Sequence, residues 1–334
     1  MIGLSIETSC DETSIAIIKD GRVVLSNVIS TQIDIHKNFG GVVPEIASRK
    51  HLTNISYVVK EALEKANTNF SDIDYIGVTY GPGLIGALLV GVSYAKSLAY
   101  SLNIPIVPTH HIEGHIAANY LTHKDLKPPF LALVVSGGHS HLIHVKDYTE
   151  FEIIGKTRDD AVGEAFDKVA RVLGLSYPGG PEVSKLALNG RFTYKLPKTK
   201  FDNLDFSFSG IKTAVINIAH KEKDSLRKED MACSFEQTVC EELTQNAMMA
   251  MKSLKLKNIV LAGGVSANRV LRKMVQESAS LNGYNSYMPE LVYCTDNAAM
   301  IGSAAHYNYL VGNYYNIHDK LDLNAVANIK IGEK

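Results

Sequence analysis

The chain has 334 residues, of which 46% are hydrophobic and 21% charged, and its formal net charge is −1. This composition is typical of a globular protein with two domains or two halves of one fold. A near-neutral charge excludes a global basic field for nucleic acid, so any RNA contact must use a local cluster or a partner. Arg49-Lys50 and residues 195–200 are candidate clusters, and a solvated surface is the alternative.

Targeting signals and cysteine spacing bear on the cellular compartment. The N-terminal MIGLSIETS has no basic segment followed by a long apolar one, so it does not resemble a signal peptide. No uninterrupted apolar run approaches the ~20 residues of a membrane span. The cysteines at positions 10, 233, 240 and 294 form no CxxC pair, which is typical of reduced thiols. We therefore expect a cytoplasmic protein without a membrane segment.

A pattern of strands and turns occurs twice along the chain. Residues 2–8 are predicted to form an apolar strand, which a polar turn separates from a hairpin over residues 13–29 with Asp20-Gly21 as its turn. Residues 130–154 have the same order, with Gly137-Gly138-His139 as the first turn. The repetition predicts two similar α/β halves.

The sequence of strand, glycine turn and helix is also repeated, over residues 73–102 and 256–281. Residues 44–66 and 234–254 are predicted helices, and residues 191–208 show little periodicity and are expected to form a long loop.

Two α/β halves that each begin with three antiparallel strands match the actin/sugar-kinase/Hsp70 architecture. We predict a first lobe over residues 1–127, a second over 128–295, and a C-terminal helix over 296–325 that packs back on the first lobe. In this architecture the turn between the first two strands of each half holds nucleotide phosphates through backbone N–H groups. The alternative is that these glycines only make tight turns, and the duplication favours phosphate binding.

The segment PTHHIEGHIAANYL, residues 108–121, superficially resembles the HExxH pattern of zinc proteases. Its apolar residues have helical spacing, so His111 and His115 are expected one turn apart on one face, where both imidazoles can bind one metal. Glu113 stands two residues after His111, and at ~100° per residue it points ~200° away from that face. The hydrolytic base of a protease is therefore absent from its required position. Packing or capping by these histidines is the alternative, and three histidines in six residues favour a metal.

A third metal ligand must come from elsewhere in the chain. Asp296, at the start of a predicted helix after YCT, is the candidate, and its alternative role is a helix N-cap, which Thr295 or Asp296 could fill. Two histidines and one carboxylate with open positions suit iron or zinc.

Two further segments are typical of nucleotide contacts. Residues 155–187 are dense in charge and glycine and contain Asp167 and a rigid Tyr-Pro-Gly-Gly-Pro turn. Residues 262–268, AGGVSAN, end a strand and begin a helix, as adenosine or phosphate sites do. For Asp167 the alternative is a solvated edge of its helix.

Eight segments together resemble the universal tRNA threonylcarbamoyladenosine transferase family, and most closely its bacterial branch, formerly called O-sialoglycoprotein endopeptidase. They are IETSCDET, GPGLIGALLVG, HHIEGH, VVSGGH, GEAFDKVARVLGLSYPGGP, DFSFSGIKT, AGGVSANRVLR and CTDNAAMIG. The resemblance runs from residue 2 to about residue 310. It implies transfer of a threonylcarbamoyl group from threonylcarbamoyl-AMP to N6 of adenosine 37 in tRNAs that read ANN codons.

The resemblance also implies the residues of the site. A divalent metal, Fe²⁺ or Zn²⁺, is expected on His111, His115 and Asp296. Asp11 and Glu12 match acidic residues near the catalytic centre, and we expect one of them to assist proton removal while the metal polarises the donor carbonyl. The adenylate is expected to contact Val134, Val135, Ser136, Gly137, Gly138, Asp167, Gly180 and Asn268.

The implied partners are tRNA, a catalytically silent paralogue (TsaB-like) that forms a heterodimer with the enzyme, and a P-loop ATPase (TsaE-like). One position departs from the family pattern: many relatives have an aspartate where this chain has Ser184, so the resemblance implies no ribose or phosphate contact by an aspartate there.

Three other functions compete with this one. A metalloendopeptidase depends on the histidine pair alone and lacks its base. A small-molecule carbamoyl- or phosphotransferase is compatible with the same fold. A non-enzymatic ATP-binding scaffold is disfavoured by the complete set of His111, His115 and Asp296.

Overall fold

The structure is a computed structural model that describes residues 1–317 and 322–332. Its strands, in chain order, are β1 (Ile2–Glu7), β2 (Glu12–Lys19), β3 (Val23–Thr31), β4 (Tyr75–Gly81), β5 (Ile106–His110), β6 (Phe130–Val135), β7 (Ser140–Asp147), β8 (Glu150–Lys156), β9 (Asn258–Ala262) and β10 (Asn285–Tyr287). The predicted strands over residues 2–8 and 130–154 are thereby confirmed.

The helices are α1 (Ile33–His36), α2 (Pro44–Ala66), α3 (Ile85–Leu102), α4 (His111–Thr122), α5 (Val162–Leu173), α6 (Gly179–Ala187), α7 (Ser209–Glu222), α8 (Lys228–Leu254), α9 (Arg269–Leu281) and α10 (Ala298–Leu310). The predicted helix over 234–254 is the C-terminal part of the longer α8. Residues 191–208 form an irregular segment, as expected, apart from an isolated bridge between Phe206 and Thr157.

Two five-stranded sheets repeat one topology. The first has the order β3-β2-β1-β4-β5, and the second has the equivalent order β8-β7-β6-β9-β10. In each sheet the strand that begins the half (β1 or β6) pairs antiparallel with its successor and parallel with a later strand (β4 or β9). The predicted duplication of an α/β half is therefore confirmed.

The turn of the first hairpin follows from two residues. Asp20 and Gly21 have positive φ values of 51° and 67°. Two consecutive left-handed residues make the tight turn whose twist matches that of the flanking strands. The pair Asp-Gly therefore sets the pairing of β2 with β3 next to the turn, where Lys19 faces Val23.

The described chain separates into two compact units. Unit 1 consists of Met1–Pro128, Lys146–Phe151 and the described residues from Pro289 onward, and unit 2 consists of Pro129–Val145 and Glu152–Met288. Each has its own apolar core. In unit 1 the core includes Leu4 and Ile6 of β1, and in unit 2 it includes Phe166 and Phe235, whose rings meet edge-on at 5.0 Å.

The C-terminal helix is shorter than the sequence predicts. α10 ends at Leu310, residues 311–317 and 322–325 are not helical, and 318–321 lie outside the described residues, so the predicted helix over 296–325 is wrong beyond residue 310. Gly312 has a φ of +81°, a left-handed conformation typical of the residue that follows a helix end. Within unit 1, α10 packs on β1, β2 and α4.

Among the described helices, α3 alone has the length and mean hydropathy, 1.3, of a membrane span. One such helix is weak evidence because core helices of globular proteins meet the same criteria. α3 packs on β4 and α2, and its side chains Leu88, Val92 and Ala95 are buried in the core of unit 1. The expectation of a chain without a membrane segment stays a prediction.

A buried acid in α8 makes stability depend on pH. Burial raises the pKa of Glu242 to about 7 from an ordinary value of 4.5. The folded state thus binds this proton more tightly than the unfolded chain, so stability falls as pH rises from 4.5 to 7 and stays lower above that window. We expect Glu242→Gln to raise the free energy of unfolding at pH 8 by roughly 1–3 kcal/mol and to have less effect at pH 5.5. Urea denaturation at both values measures this, and an equal effect at the two would contradict it.

Candidate metal and nucleotide sites

The junction of β5 and α4 brings two histidines to one point in unit 1. His110 caps α4 because its Nδ1 accepts a hydrogen bond from the Ile112 amide at 3.1 Å. His111 is the first helical residue and His115 follows one turn later, and both are buried. Their rings meet edge-on at 4.6 Å between centroids. The predicted helical placement of the pair is confirmed.

Asp296 completes a group of three possible ligands. Its Oδ1 lies 3.5 Å from Nε2 of His111 and 3.3 Å from Nε2 of His115. Around a tetrahedral ion with bonds of about 2.0–2.1 Å, ligand atoms lie about 3.3 Å apart, so these separations fit a metal. The N-cap of α10 is Asn297, whose side chain accepts from the Met300 amide, so capping does not occupy Asp296.

The glutamate of the HIEGH segment faces away from this group. Glu113 Oε2 accepts a hydrogen bond from Asn308 of α10 at 2.9 Å. It is not part of the set of possible ligands formed by His111, His115 and Asp296. The structure therefore agrees with the sequence argument that Glu113 does not lie where the hydrolytic base of an HExxH protease must be.

Glu7, at the end of β1, orients one of the two imidazoles and was missed by the sequence analysis. Its carboxylate is fully buried, accepts hydrogen bonds from the Ser9 amide at 2.5 Å and the Thr79 hydroxyl at 2.7 Å, and lies 3.1 Å from His111 Nδ1. In the neutral form of the imidazole, donation from Nδ1 to Glu7 would leave the lone pair on Nε2 of His111, which faces Asp296. No sequence signal links Glu7 to His111, because 104 residues separate them.

The ionisable side chains of this group shift one another's pKa values. Burial opposes ionisation of Glu7, yet the neighbouring His111 and the hydroxyl of Thr79 hold the pKa of its carboxyl below the usual value. Burial likewise opposes the charged form of His111, but Asp296 and Glu7 outweigh it and raise the pKa to about 9. Burial and the charge of His111 lower the pKa of His115. The two carboxylates, of Glu7 and Asp296, thus stabilise the charged form of one imidazole, that of His111.

The two acids of the β1–β2 turn lie in the same unit. Asp11 is buried, and among the described residues its Oδ2 has no hydrogen-bond partner. Burial, with Asp296 and Asp11 adding to it, raises the pKa of Glu12 to about 10. The turn is held by His51 of α2, whose Nε2 lies 2.9 Å from the Cys10 carbonyl. Glu12 is therefore influenced by the charge of Asp296 in the candidate metal group, and the catalytic roles expected for Asp11 and Glu12 stay predictions.

The glycine turn that follows β6 in unit 2 is packed closely from two sides. A Cβ on Gly163, at the start of α5, would lie 2.7 Å from the Ser136 carbonyl oxygen, and one on Gly263 would lie 2.4 Å from that of Val135. Gly137 and Gly138 are exposed, and a Cβ on either would meet no atom within 4 Å. The turn therefore presents free backbone beside a helix N-terminus, which suits an anion.

Burial limits which of the residues predicted to contact the adenylate at this turn expose groups to a ligand. The side chains of Val134 and Val135 are fully buried in β6, so only their backbone is available to a ligand. Ser136 is largely buried, and its hydroxyl accepts a hydrogen bond from the His139 amide at 3.1 Å. Gly137 and Gly138 remain the exposed members of the predicted set.

The other predicted nucleotide contacts are joined by hydrogen bonds around α6. Asp167 Oδ1 accepts a hydrogen bond from the Gly179 amide at 2.7 Å and so caps α6. Burial raises the pKa of the Asp167 carboxyl. A Cβ on Gly180 would meet no atom within 4 Å. Asn268 caps α9 by accepting from Leu271, and its amide nitrogen donates to Ser184 of α6 at 3.1 Å. Unit 2 therefore brings Asp167, Gly180 and Asn268 together.

Replacement of one turn glycine tests this packing. Gly263 has φ 86° and ψ 167°, a conformation that essentially only glycine adopts, and it has no space for a Cβ. We expect Gly263→Ala to lower the free energy of unfolding by about 3 kcal/mol or more. Gly283→Ala is the matched control, with φ +69° and open space, and should cost about 1 kcal/mol. Equal urea midpoints for the two variants would contradict the close approach.

Solved structures of other proteins share the fold. Full-length HypF matches with a TM-score of 0.65 at 16% identity, over 93% of this chain and 46% of that one. The (R)-2-hydroxyglutaryl-CoA dehydratase component A of Acidaminococcus fermentans matches with a TM-score of 0.54 at 15% identity, over 93% and 98% of the two chains. With the duplicated sheets, these define an α/β protein of the actin/sugar-kinase/Hsp70 class.

Sequence comparison identifies the family within this class. Residues 23–303 match the family model described as TsaD, tRNA N6-adenosine threonylcarbamoyltransferase. Curated relatives of that name include one from Clostridioides difficile (55% identical, covering 100% of this chain and 99% of the relative) and one from Clostridium perfringens strain SM101 (56%, covering 99% and 98%). The chain belongs to the tRNA N6-adenosine threonylcarbamoyltransferase family.

Proposed function

We propose that this chain transfers the threonylcarbamoyl group of threonylcarbamoyl-AMP to N6 of adenosine 37 in ANN-decoding tRNAs. The observation that carries the proposal is full-length similarity, at about 55% identity, to relatives named for this reaction. The geometry of the described residues adds support, because the chain has both a candidate metal group and a candidate adenylate site.

The first part of the proposal is a divalent metal, Fe²⁺ or Zn²⁺, on His111, His115 and Asp296. The donor set of two imidazoles and one carboxylate suits these ions and leaves coordination positions open. A metal held there would supply Lewis-acid polarisation of the donor carbonyl. Glu7 would hold His111 in the tautomer that presents Nε2, and Glu113 would take no part because it bonds to Asn308.

The second part concerns the adenylate in unit 2. We assign its phosphate to the exposed backbone of Gly137 and Gly138, and its nucleoside to the neighbourhood of Asp167, Gly180 and Asn268. The backbone amides of a glycine turn next to a helix N-terminus favour an anion. Asp167 would act indirectly, since its carboxylate holds the Gly179 amide and with it the start of α6.

The proposed chemistry is a single acyl transfer. The N6 nitrogen of adenosine forms a bond to the carbamoyl carbon, the bond from that carbon to the phosphate oxygen breaks, AMP leaves, and N6 loses one proton. Because the exocyclic amine is a weak nucleophile, positioning and carbonyl polarisation must provide most of the rate. We assign help with the proton to Asp11 or Glu12 in the β1–β2 turn, and Glu12 would accept it only after losing its own proton, because burial raises its pKa to about 10.

The proposal includes partners and a compartment. They are tRNA, a TsaB-like silent paralogue in a heterodimer, and a TsaE-like P-loop ATPase, in the cytoplasm. The net charge of −1 supports an RNA contact that uses local clusters or these partners and not the whole surface of this chain.

The competing functions are less well supported. An endopeptidase needs a base at the metal, and Glu113 bonds elsewhere. A small-molecule carbamoyl- or phosphotransferase is compatible with the fold, but a fold alone does not specify a function.

Reconstitution tests the proposed function. The chain is incubated with its paralogue, the ATPase, a source of threonylcarbamoyl-AMP and unmodified tRNA, and the nucleosides are analysed by mass spectrometry. We expect N6-threonylcarbamoyladenosine in a tRNA with adenosine 37 and none in the same tRNA with guanosine 37. Absence of the product from the complete system, or cleavage of casein that chelation abolishes, would contradict the proposal.

A further inference from the structure

Unit 2 contains a buried carboxylate that the proposed function has not used. Glu236, in the first half of α8, is only 4% exposed. Its Oε1 accepts two hydrogen bonds, from the Ser184 hydroxyl at 2.6 Å and from the Asn268 amide nitrogen at 2.7 Å. A buried carboxylate requires such partners, so its position is fixed by α6 and by the start of α9.

The two partners are themselves held in place. Asn268 accepts from the Leu271 amide through Oδ1, which directs its amide nitrogen to Glu236 and to Ser184. All hydrogen bonds that the described residues make to the Glu236 carboxylate go to Oε1. Oε2 has no protein donor among the described residues, and it is not one of their fully buried atoms without a partner, so it reaches solvent and is available to accept from a ligand.

Space for a ligand borders this carboxylate. Gly180 precedes Ser184 by one turn of α6, and Gly264 begins the short 3₁₀ turn that ends before Asn268. A Cβ on either glycine would meet no atom within 4 Å. The partners of Glu236 thus belong to two segments whose backbone is open to a bound molecule.

Serine at position 184 is compatible with the carboxylate of Glu236 beside it. The Ser184 oxygen lies 2.6 Å from Glu236, so an aspartate in its place would bring two carboxylates together, which disfavours ionisation of both. Serine instead donates to Glu236, and the pair carries one negative charge. In this chain the carboxylate next to position 184 therefore belongs to α8.

We propose that the Glu236 carboxylate binds the vicinal 2′ and 3′ hydroxyls of the adenylate ribose, with Ser184 and Asn268 as positioning residues. A carboxylate oxygen accepts charge-assisted hydrogen bonds from a ribose diol, as acidic residues do in dinucleotide sites. The inference rests on the proposed function, because it names a contact of the same adenylate.

Calorimetric titration with AMP and with 2′,3′-dideoxy-AMP tests the inference on the full chain. The unsubstituted protein should bind AMP roughly tenfold to a hundredfold more tightly than the dideoxy compound. Glu236→Gln keeps the acceptor for Ser184 and Asn268. It should weaken the binding of AMP by that factor while leaving the affinity for dideoxy-AMP unchanged. Glu241→Gln, on the same helix, is the matched control and should retain the preference for ribose.

Moving the carboxylate from position 236 to position 184 provides a second test. Ser184→Asp alone should weaken AMP binding, because it opposes Glu236, and Ser184→Asp combined with Glu236→Gln should restore it. A preference for ribose that survives Glu236→Gln, or equal weakening of both ligands, would assign Glu236 a structural role only and overturn the inference.

An assay of tRNA modification with the same proteins distinguishes failure of the inference about Glu236 from failure of the proposed function. If the unsubstituted chain forms the modified nucleoside but does not distinguish AMP from the dideoxy compound, the inference about Glu236 fails alone. If it distinguishes the two ligands but forms no modified nucleoside in the complete system, the proposed function fails, and Glu236 remains a ribose contact of another reaction.

Discussion

Replacing His111 with alanine is expected to remove the bound metal and to lower threonylcarbamoyl transfer by about a thousandfold or more. The reason is geometric: Nε2 of His111 and of His115 both face one oxygen of Asp296, at 3.5 and 3.3 Å, so loss of one imidazole leaves two ligands. Metal content by elemental analysis and transfer by mass spectrometry of nucleosides measure the two effects separately.

The control for this variant is His220→Ala, an exposed histidine of α7, which should keep both metal and activity. Thermal unfolding confirms that the site variant is folded. A folded His111→Ala protein that transfers at the normal rate would contradict the assignment of the metal to this group.

Replacing Glu7 with glutamine is expected to weaken metal binding by roughly tenfold to a hundredfold, as loss of an orienting carboxylate does at other metal sites. Glutamine keeps the size and one oxygen acceptor, but it removes the charge that stabilises the N–H of His111 Nδ1. Competition against a fluorescent chelator measures the affinity without reference to activity.

Glu113→Gln is the matched control for Glu7→Gln. Glu113 follows His111 by two residues in α4, yet it bonds to Asn308, so its replacement should change neither metal affinity nor transfer. A loss of metal affinity in Glu113→Gln equal to that in Glu7→Gln would contradict the proposed role of Glu7. A protease would require the opposite pattern, with Glu113 essential for peptide hydrolysis.

The repeated strand pattern allowed the fold to be predicted because local chemistry encodes it. Asp20-Gly21 specifies its hairpin by backbone conformation alone, and apolar alternation identifies β1 and β6. The end of α10 was missed because the apolar residues continue past Leu310, whereas the left-handed Gly312 follows the helix end.

Some residues of the candidate site could likewise be predicted from local sequence, whereas others depend on tertiary contacts. His111 and His115 are one turn apart, so helical spacing reveals them, and Asp296 was identified as a plausible partner by chemistry. Glu7 and Glu236 could not be predicted, because each acquires its importance from partners distant in sequence. The role of Asn297 as the cap of α10 also required the structure.

The central claim is acyl transfer from an adenylate to tRNA, and an isotope-labelled donor tests it most directly. Threonylcarbamoyl-AMP labelled with ¹³C at the carbamoyl carbon is supplied to the reconstituted system with unmodified tRNA. We predict one labelled N6-threonylcarbamoyladenosine for each AMP released, at position 37. Release of AMP with no label in the tRNA would contradict the account, since it would make the chain a hydrolase of the donor and not a transferase.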